Sequence, residues 1–270
     1  AGARRLEARI IIGLYQLSCW LGHFERAQIH ANRALEIARD LGHETLEVQA
    51  LSCLGNLYGS RGEIENALKH HLLAADIARL NCSVAEEAYI RHDLSIIYAQ
   101  KGLHEEAIRS GHDCLSLAER LGDRRLEAAQ AGNLAEYYFG LDQFQKAVPL
   151  LIRGIELGDM IWPMAADVFR GTLALVYGES GRAAEGVALM TIAEPRLRAS
   201  QHPVELGKLL ARRVRVQLRA GQVGGNAELL AEAVAIADRL EVSGDSELRR
   251  EITAAQAALA DHVTNDSFTD

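Results

Sequence analysis

Apolar residues recur along the chain at the three- and four-residue spacing of a helix, and the runs are cut at regular intervals. Residues 51–68 read LSCLGNLYGSRGEIENAL. Leu51, Leu54, Leu57 and Tyr58 mark one face of a helix. Gly62 ends it, because glycine takes a left-handed backbone without strain. The pattern resumes in a second helix that carries Ala67 and Ala74. The unit then returns. The turn glycine appears as Gly22, Gly62 and Gly102, becomes Asp142, and reappears as Gly181 and Gly221, at spacings of 40, 40, 40, 39 and 40. A tyrosine four residues earlier appears as Tyr58, Tyr98, Tyr138 and Tyr177. A small residue five after the turn appears as Ala27, Ala67, Ala107, Ala147 and Gly186. Another, seven further on, appears as Ala34, Ala74, Cys114, Gly154, Ala193 and Ala233.

Each unit predicts two helices, the second closed by a break such as Leu41-Gly42, Leu80-Asn81, Leu121-Gly122 or Leu157-Gly158. Short loops make the pair antiparallel. One pair cannot bury its apolar face, so pairs must stack, and stacking gives an α-solenoid. The expectation is an all-α chain of six antiparallel helix pairs over residues 1–244, a further helix at about 245–263, and a linker at 264–270. Pro163 and Pro203 fall near helix starts, where the missing N–H is harmless. Pro149 and Pro195 fall inside second helices, which predicts a kink or an early break there.

The motif Leu54-Gly55-Asn56-Leu57-Tyr58, followed by Gly62, Ala67 and Ala74, resembles the tetratricopeptide repeat (TPR) family. The resemblance covers roughly residues 5–241. It is strongest in repeats two to four and weakest in repeat six, where Arg213, Val214 and Gln217 replace the Leu, small residue and Tyr. The family period is 34 residues. A period of 40 adds roughly 1.7 helical turns per repeat, so the chain is closer to the long-helix subclass found in bacterial signalling regulators and peptide-binding scaffolds.

Composition agrees with packed helices and narrows the function. Apolar residues make up 49% of the 270 residues and aromatics 5%, with four prolines. The formal charge of −8 disfavours a nucleic-acid surface. No apolar run approaches the roughly 18 residues of a membrane span. Cys19, Cys53, Cys82 and Cys114 form no C-x-x-C pair and read as reduced thiols in a cytoplasmic chain. No catalytic motif is present: no phosphate-cradling glycine loop, no G-x-S-x-G and no H-E-x-x-H. His70-His71 reads as a solvated pair, because neighbours on a helix point about 100° apart. The chain is therefore expected to be no enzyme and to need no cofactor or metal.

What remains is a surface. In the resemblance, first helices line the concave side and ligands lie against fixed repeat positions. Carried onto this chain, those positions give Arg9, Gln16 and Trp20, then Gln49, Ser52 and Asn56, then Tyr89, His92 and Asp93, then Asn133, Glu136 and Phe139, and Glu179. The resemblance implies that Asn56 holds the backbone of a bound peptide. Trp20 and Phe139 also suit packing between repeats. In repeat six, Lys208, Arg212, Arg215 and Arg219 are spaced 4, 3 and 4 and form one stripe. Such a stripe suits a carboxylate or phosphate, or pairing with Glu228, Glu232 and Asp238 of the next helix.

The implied ligand is a peptide or protein, or a small anionic metabolite, in the concave groove, with no membrane and no direct nucleic-acid contact. Leu248, Ile252, Ala255 and Leu259 are spaced 4, 3 and 4. They form either a heptad seam for a homodimer or a helix capping the last repeat. The closing Ser267-Phe268-Thr269-Asp270 resembles the opening of GGDEF domains, the diguanylate cyclases, through Thr269 and Asp270. The expected function is a sensory or interaction module that regulates an attached output domain. The alternatives are a free-standing adaptor and the regulatory region of a transcription activator.

Overall fold

A computed structural model describes residues 2–21, 23–80, 83–200, 202–242, 244 and 246–266. Thirteen helices form among the described residues, with no strand. They are α1 (Gly2–Trp20), α2 (Phe24–Asp40), α3 (Glu44–Ser60), α4 (Ile64–Leu80), α5 (Val84–Gln100), α6 (His104–Leu121) and α7 (Arg124–Gly140). After these come α8 (Phe144–Ile161), α9 (Pro163–Glu179), α10 (Ala183–Ala199), α11 (Pro203–Arg219), α12 (Asn226–Arg239) and α13 (Glu247–Asp266). The chain divides into two compact units, Ala1–Tyr137 and Tyr138–Asp270.

The turn position does what the repeat spacing demands. Gly62, Gly102, Gly181 and Gly221 take φ of 76°, 78°, 80° and 72°, and Asp142 takes the same left-handed conformation at 56°. Gly22 lies outside the described residues. The N–H three residues past the helix end returns to a carbonyl of the last turn, as from Glu63 to Tyr58 and from Leu103 to Tyr98. Repeat six keeps this turn but lengthens the loop, with a second left-handed residue, Gly225, before α12.

Within the first unit α1, α3 and α5 pack side by side, while α2, α4 and α6 back them. The second unit repeats this with α9, α11 and α13. The small residues lie at the crossings. Ala27, Ala67, Ala107, Ala147, Ala74, Cys114, Ala193 and Ala233 are all fully buried. A Cβ on Gly186 would come within 2.7 Å of the Ala174 carbonyl oxygen.

Two expectations are corrected here. Pro149 and Pro195 do not break their helices, which run unbroken through both. Both prolines are solvent-exposed, as are Gln145 and Thr191 one turn before them, so water can take the carbonyls left without an N–H donor. Helix α13 packs against α11 and α12 of the second unit. Leu248, Ile252 and Ala255 are buried against Leu210, Ala211, Val214 and Ala233, with Leu259 packed beside them. His71 is not part of a solvated pair, because its ring is fully buried. The closing residues 267–270 and the side chain of Trp20 lie outside the described residues.

Replacing Ala67 by Leu should overpack the crossing of α3 and α4. It should lower stability by about 1–3 kcal/mol in urea unfolding with little change in helical content. A variant as stable as the parent would mean Ala67 is not at a crossing.

Candidate functional site

The largest constellation of sequence-selected residues gathers in the first unit. A cavity of about 580 Å³ opens along α1, α3 and α5. Helix α1 contributes Ile12, Tyr15 and Gln16; α3 contributes Val48, Gln49, Ser52, Cys53 and Asn56; α5 contributes Ala85, Glu86, Tyr89 and Asp93. On α3, positions 49, 52 and 56 recur at helical spacing and so share one face. Gln16, Gln49, Asn56 and Tyr89, chosen from the repeat pattern, therefore meet at one place.

The floor of the cavity is polar and poorly compensated. Asn56 donates a side-chain hydrogen bond to Asp93. Behind the carboxylate lies His71 of α4, with Nδ1 3.8 Å from Asp93 Oδ2. Neither ring nitrogen of His71 has a hydrogen-bond partner among the described atoms. Gly55 makes room for the ring, since a Cβ there would lie 2.4 Å from Nε2. Burial holds His71 down at about 4, with His70 adding to the effect, so the ring is neutral at pH 7. Burial pushes the Asp93 carboxyl up to about 7, against the opposing hydrogen bond from Asn56. Burial also pushes the Cys53 thiol up to about 12, which makes it a poor nucleophile. The Tyr15 hydroxyl is raised too, by burial first and then by its neighbours Cys53, Cys19 and Asp93. Tyr89 donates its hydroxyl to Asp123 Oδ2 at 2.7 Å, which fixes its ring at the cavity mouth.

The other selected residues lie elsewhere. His92 turns to α7, where its Nδ1 meets Gln130 Oε1 at 2.8 Å. Asn133 is half-buried and Glu136 exposed, and neither lines the cavity. Phe139 packs in the core of the second unit, its ring 5.8 Å from that of Phe144. Tyr15, Cys53, Glu86 and His71 were missed from the sequence. For His71 a signal was present: Ala67, His71, Ala74 and Ala78 are spaced 4, 3 and 4, so His71 shares the buried stripe.

The basic stripe is paired within the second unit. Lys208 Nζ lies 2.9 Å from both Glu205 and Glu247. Arg212 Nε donates to Glu251 at 2.8 Å, and its two terminal nitrogens reach Glu247 at 3.1 Å and Thr172 Oγ1 at 3.0 Å. Arg215 meets Glu251 at 3.1 Å and Glu179 at 3.5 Å, and Arg219 also pairs with Glu179. The expected partners on α12 are engaged differently, Glu232 with Arg198 and Asp238 with Arg249. The physical reason is that α13 lies beside α11 as the next first helix would, which brings Glu247 and Glu251 over the stripe. Arg215 and Arg219 also border a second concavity of about 670 Å³ with Glu179 and Asp261.

Two outcomes follow. Glu251→Ala removes the carboxylate nearest to buried Arg212 and should cost about 3 kcal/mol in urea unfolding. A cost near zero would mean the stripe is solvated. Asp93→Asn should be more stable than the parent at pH 8 by roughly 1–3 kcal/mol. The folded-state value near 7 lies above the ordinary carboxyl range, so the folded chain holds the proton more tightly than the unfolded chain and loses stability as pH rises from 4 to 7. The advantage of the amide should fade as pH falls towards 4, and a pH-independent difference would contradict the burial of Asp93.

No protein-family model matches the chain, and no curated protein matches it in sequence. Solved structures do match in fold. BtubC from P. vanneervenii shares 17% identity at a TM-score of 0.69, over 83% of this chain and 94% of that one. The apo form of RapI shares 13% identity at a TM-score of 0.70, over 96% and 99%. A Pyrococcus horikoshii signal-transduction ATPase with numerous domains and a tetratricopeptide repeat sensor shares 17% at a TM-score of 0.72, with this chain spanning 39% of its length. The quorum sensor NprR from B. thuringiensis shares 10% at 0.65. The chain has the fold of a TPR-like α-solenoid.

Proposed function

We propose that this chain is a peptide-binding interaction module and that its ligand lies along α1, α3 and α5 of the first unit. The observation that carries the reading is the convergence of Gln16, Gln49, Ser52, Asn56 and Tyr89 on one cavity of about 580 Å³. Asn and Gln side chains both donate and accept, so a row of them matches the N–H and C=O groups of an extended main chain whatever its sequence. Ile12, Val48 and Ala85 add apolar wall for a side chain. The raised thiol of Cys53 and the absence of an activated nucleophile among the described cavity residues support binding over catalysis.

The sensory part of the reading draws on two fold neighbours, a tetratricopeptide repeat sensor within a longer ATPase and a quorum sensor. By this reading, occupancy of the cavity is passed to an attached output domain. A diguanylate cyclase output rests on Thr269 and Asp270 alone; reading the gene past residue 270 tests it, since Leu-Thr-Gly-Leu should begin two residues after Asp270. A stop codon there favours the adaptor. Pairing of chains through the α13 seam is disfavoured, because Leu248, Ile252 and Ala255 are buried within the chain. An anionic metabolite on the basic stripe would have to displace Glu179, Glu247 and Glu251.

The experiment is capture from the native cell extract with the parent chain and with the double variant Gln49→Ala, Asn56→Ala, followed by mass spectrometry. Two lost neutral hydrogen bonds should weaken a bound peptide roughly tenfold or more. A peptide or protein recovered by the parent and lost by the variant supports the reading, and equal recovery by both overturns it.

A further inference from the structure

The cavity in the first unit has one sign of charge. Glu86 and Asp93 line it, and no lysine, arginine or histidine does among the described residues. Asp93 has 18% of its side chain exposed and lines the cavity. Other buried carboxylates in the second unit lie against cations. Glu251 has Arg212 and Arg215, and Asp167 has Arg170 at 2.7 Å. Asp93 has Asn56, a neutral donor, and His71, a neutral ring at 3.8 Å.

The elements packed around Asp93 bring it no cation among the described residues. Helix α1 presents Tyr15 and Cys19, α3 presents Cys53 and Asn56, α4 presents His71, and α6 presents Cys114, while α5 adds Tyr89 and a second carboxylate, Glu86. A carboxylate taken out of water without a cation is costly, and chains retain such a group where a ligand supplies the missing charge. His71 strengthens the case. It is a fully buried ring with two unpartnered nitrogens, placed directly behind the carboxylate, and Gly55 is cut back to admit it. Neutral His71 leaves the negative charge of Asp93 uncompensated while walling it off from solvent on one side.

We infer that the ligand's anchor in this cavity is a cationic side chain, the guanidinium or ammonium of an arginine or lysine in the bound peptide, seated on Asp93, with Glu86 as a second carboxylate of the lining. The inference rests on the peptide-binding reading above. The aliphatic stem of such a side chain would lie along Ile12 and Val48, and the amides of Gln16, Gln49 and Asn56 would take its main chain. An anionic ligand is disfavoured here by the same two carboxylates. Acidity follows: the carboxyl of Asp93 titrates near 7, so the cation binds better at pH 8 than at pH 6, and binding releases a proton. His71, held near 4, stays neutral across that range and does not compete.

The test uses three capped pentapeptides, all alanine except for a central Arg, Gln or Glu, titrated into the isotope-labelled chain by NMR. The side-chain amides of Gln16, Gln49 and Asn56 report the site. The Arg peptide should bind roughly tenfold or more tightly than the Gln peptide at pH 8, with the Glu peptide weakest. The preference should shrink at pH 6 and vanish in Asp93→Asn, while the Gln peptide keeps its affinity for that variant. Equal affinity for the three peptides leaves the peptide-binding reading standing and overturns the cationic anchor. So does an Arg preference that survives Asp93→Asn, or one unchanged between pH 6 and 8. Absence of any shift at those amides with all three peptides overturns both readings. If Asp93→Asn does not fold, the pH dependence of the parent decides.

Discussion

The fold depends on how closely neighbouring helices can approach. Two positions per repeat carry a small residue, from Ala27 and Ala34 in the first to Ala193 in the fifth, and these residues are buried at the crossings. With nothing larger than a methyl or thiol group there, helix backbones pack tightly enough to bury the leucines between them. The left-handed turn residue sets the other half of the geometry, because it reverses the chain within two residues and makes the pair antiparallel. Asp142 shows that the conformation, not glycine itself, is required: it holds φ of 56° where its counterparts are glycine.

That regularity made the fold legible in the sequence. A period near 40 with four positions in register leaves few alternatives to stacked helix pairs. The unbroken helices at Pro149 and Pro195 escaped the reading for a local reason. An interior proline costs a hydrogen bond, but exposure decides whether water replaces it, and exposure follows from which face a residue occupies. His71 escaped for the converse reason. A histidine beside another histidine reads as polar surface, yet its spacing from Ala67 and Ala74 puts it on the buried face, and only the paired choice of Gly55 gives it space.

The site was partly legible. Repeat arithmetic placed Gln16, Gln49, Asn56 and Tyr89 on a common surface, because equivalent positions of successive first helices must align. It could not distinguish them from His92, Asn133 and Glu136, which obey the same arithmetic. What separates the two sets is three-dimensional: His92 is engaged by Gln130, a residue 38 positions away. Charge was less legible still. The basic stripe looked like a ligand site because its partners come from α13, a helix outside the repeat pattern.

The two units use buried charge in opposite ways, and the proposed anchor lies where a charge is left without a cation. Around Arg212 a dense set of carboxylates neutralises each cation, so the network is closed and nothing is left for a ligand to supply. Losing one member of such a network leaves a buried charge unpaired, so its members bear on stability more than on recognition. Around Asp93 the chain does the reverse. It withdraws a carboxylate from water, surrounds it with an amide, two phenols, thiols and a neutral imidazole, and leaves one side open to a cavity. Substituting Asn56 by a cation would have cost no more sequence and would have removed the penalty. A penalty left in place beside an open cavity is what the proposed cationic anchor would relieve, by supplying from outside the charge that the chain does not provide.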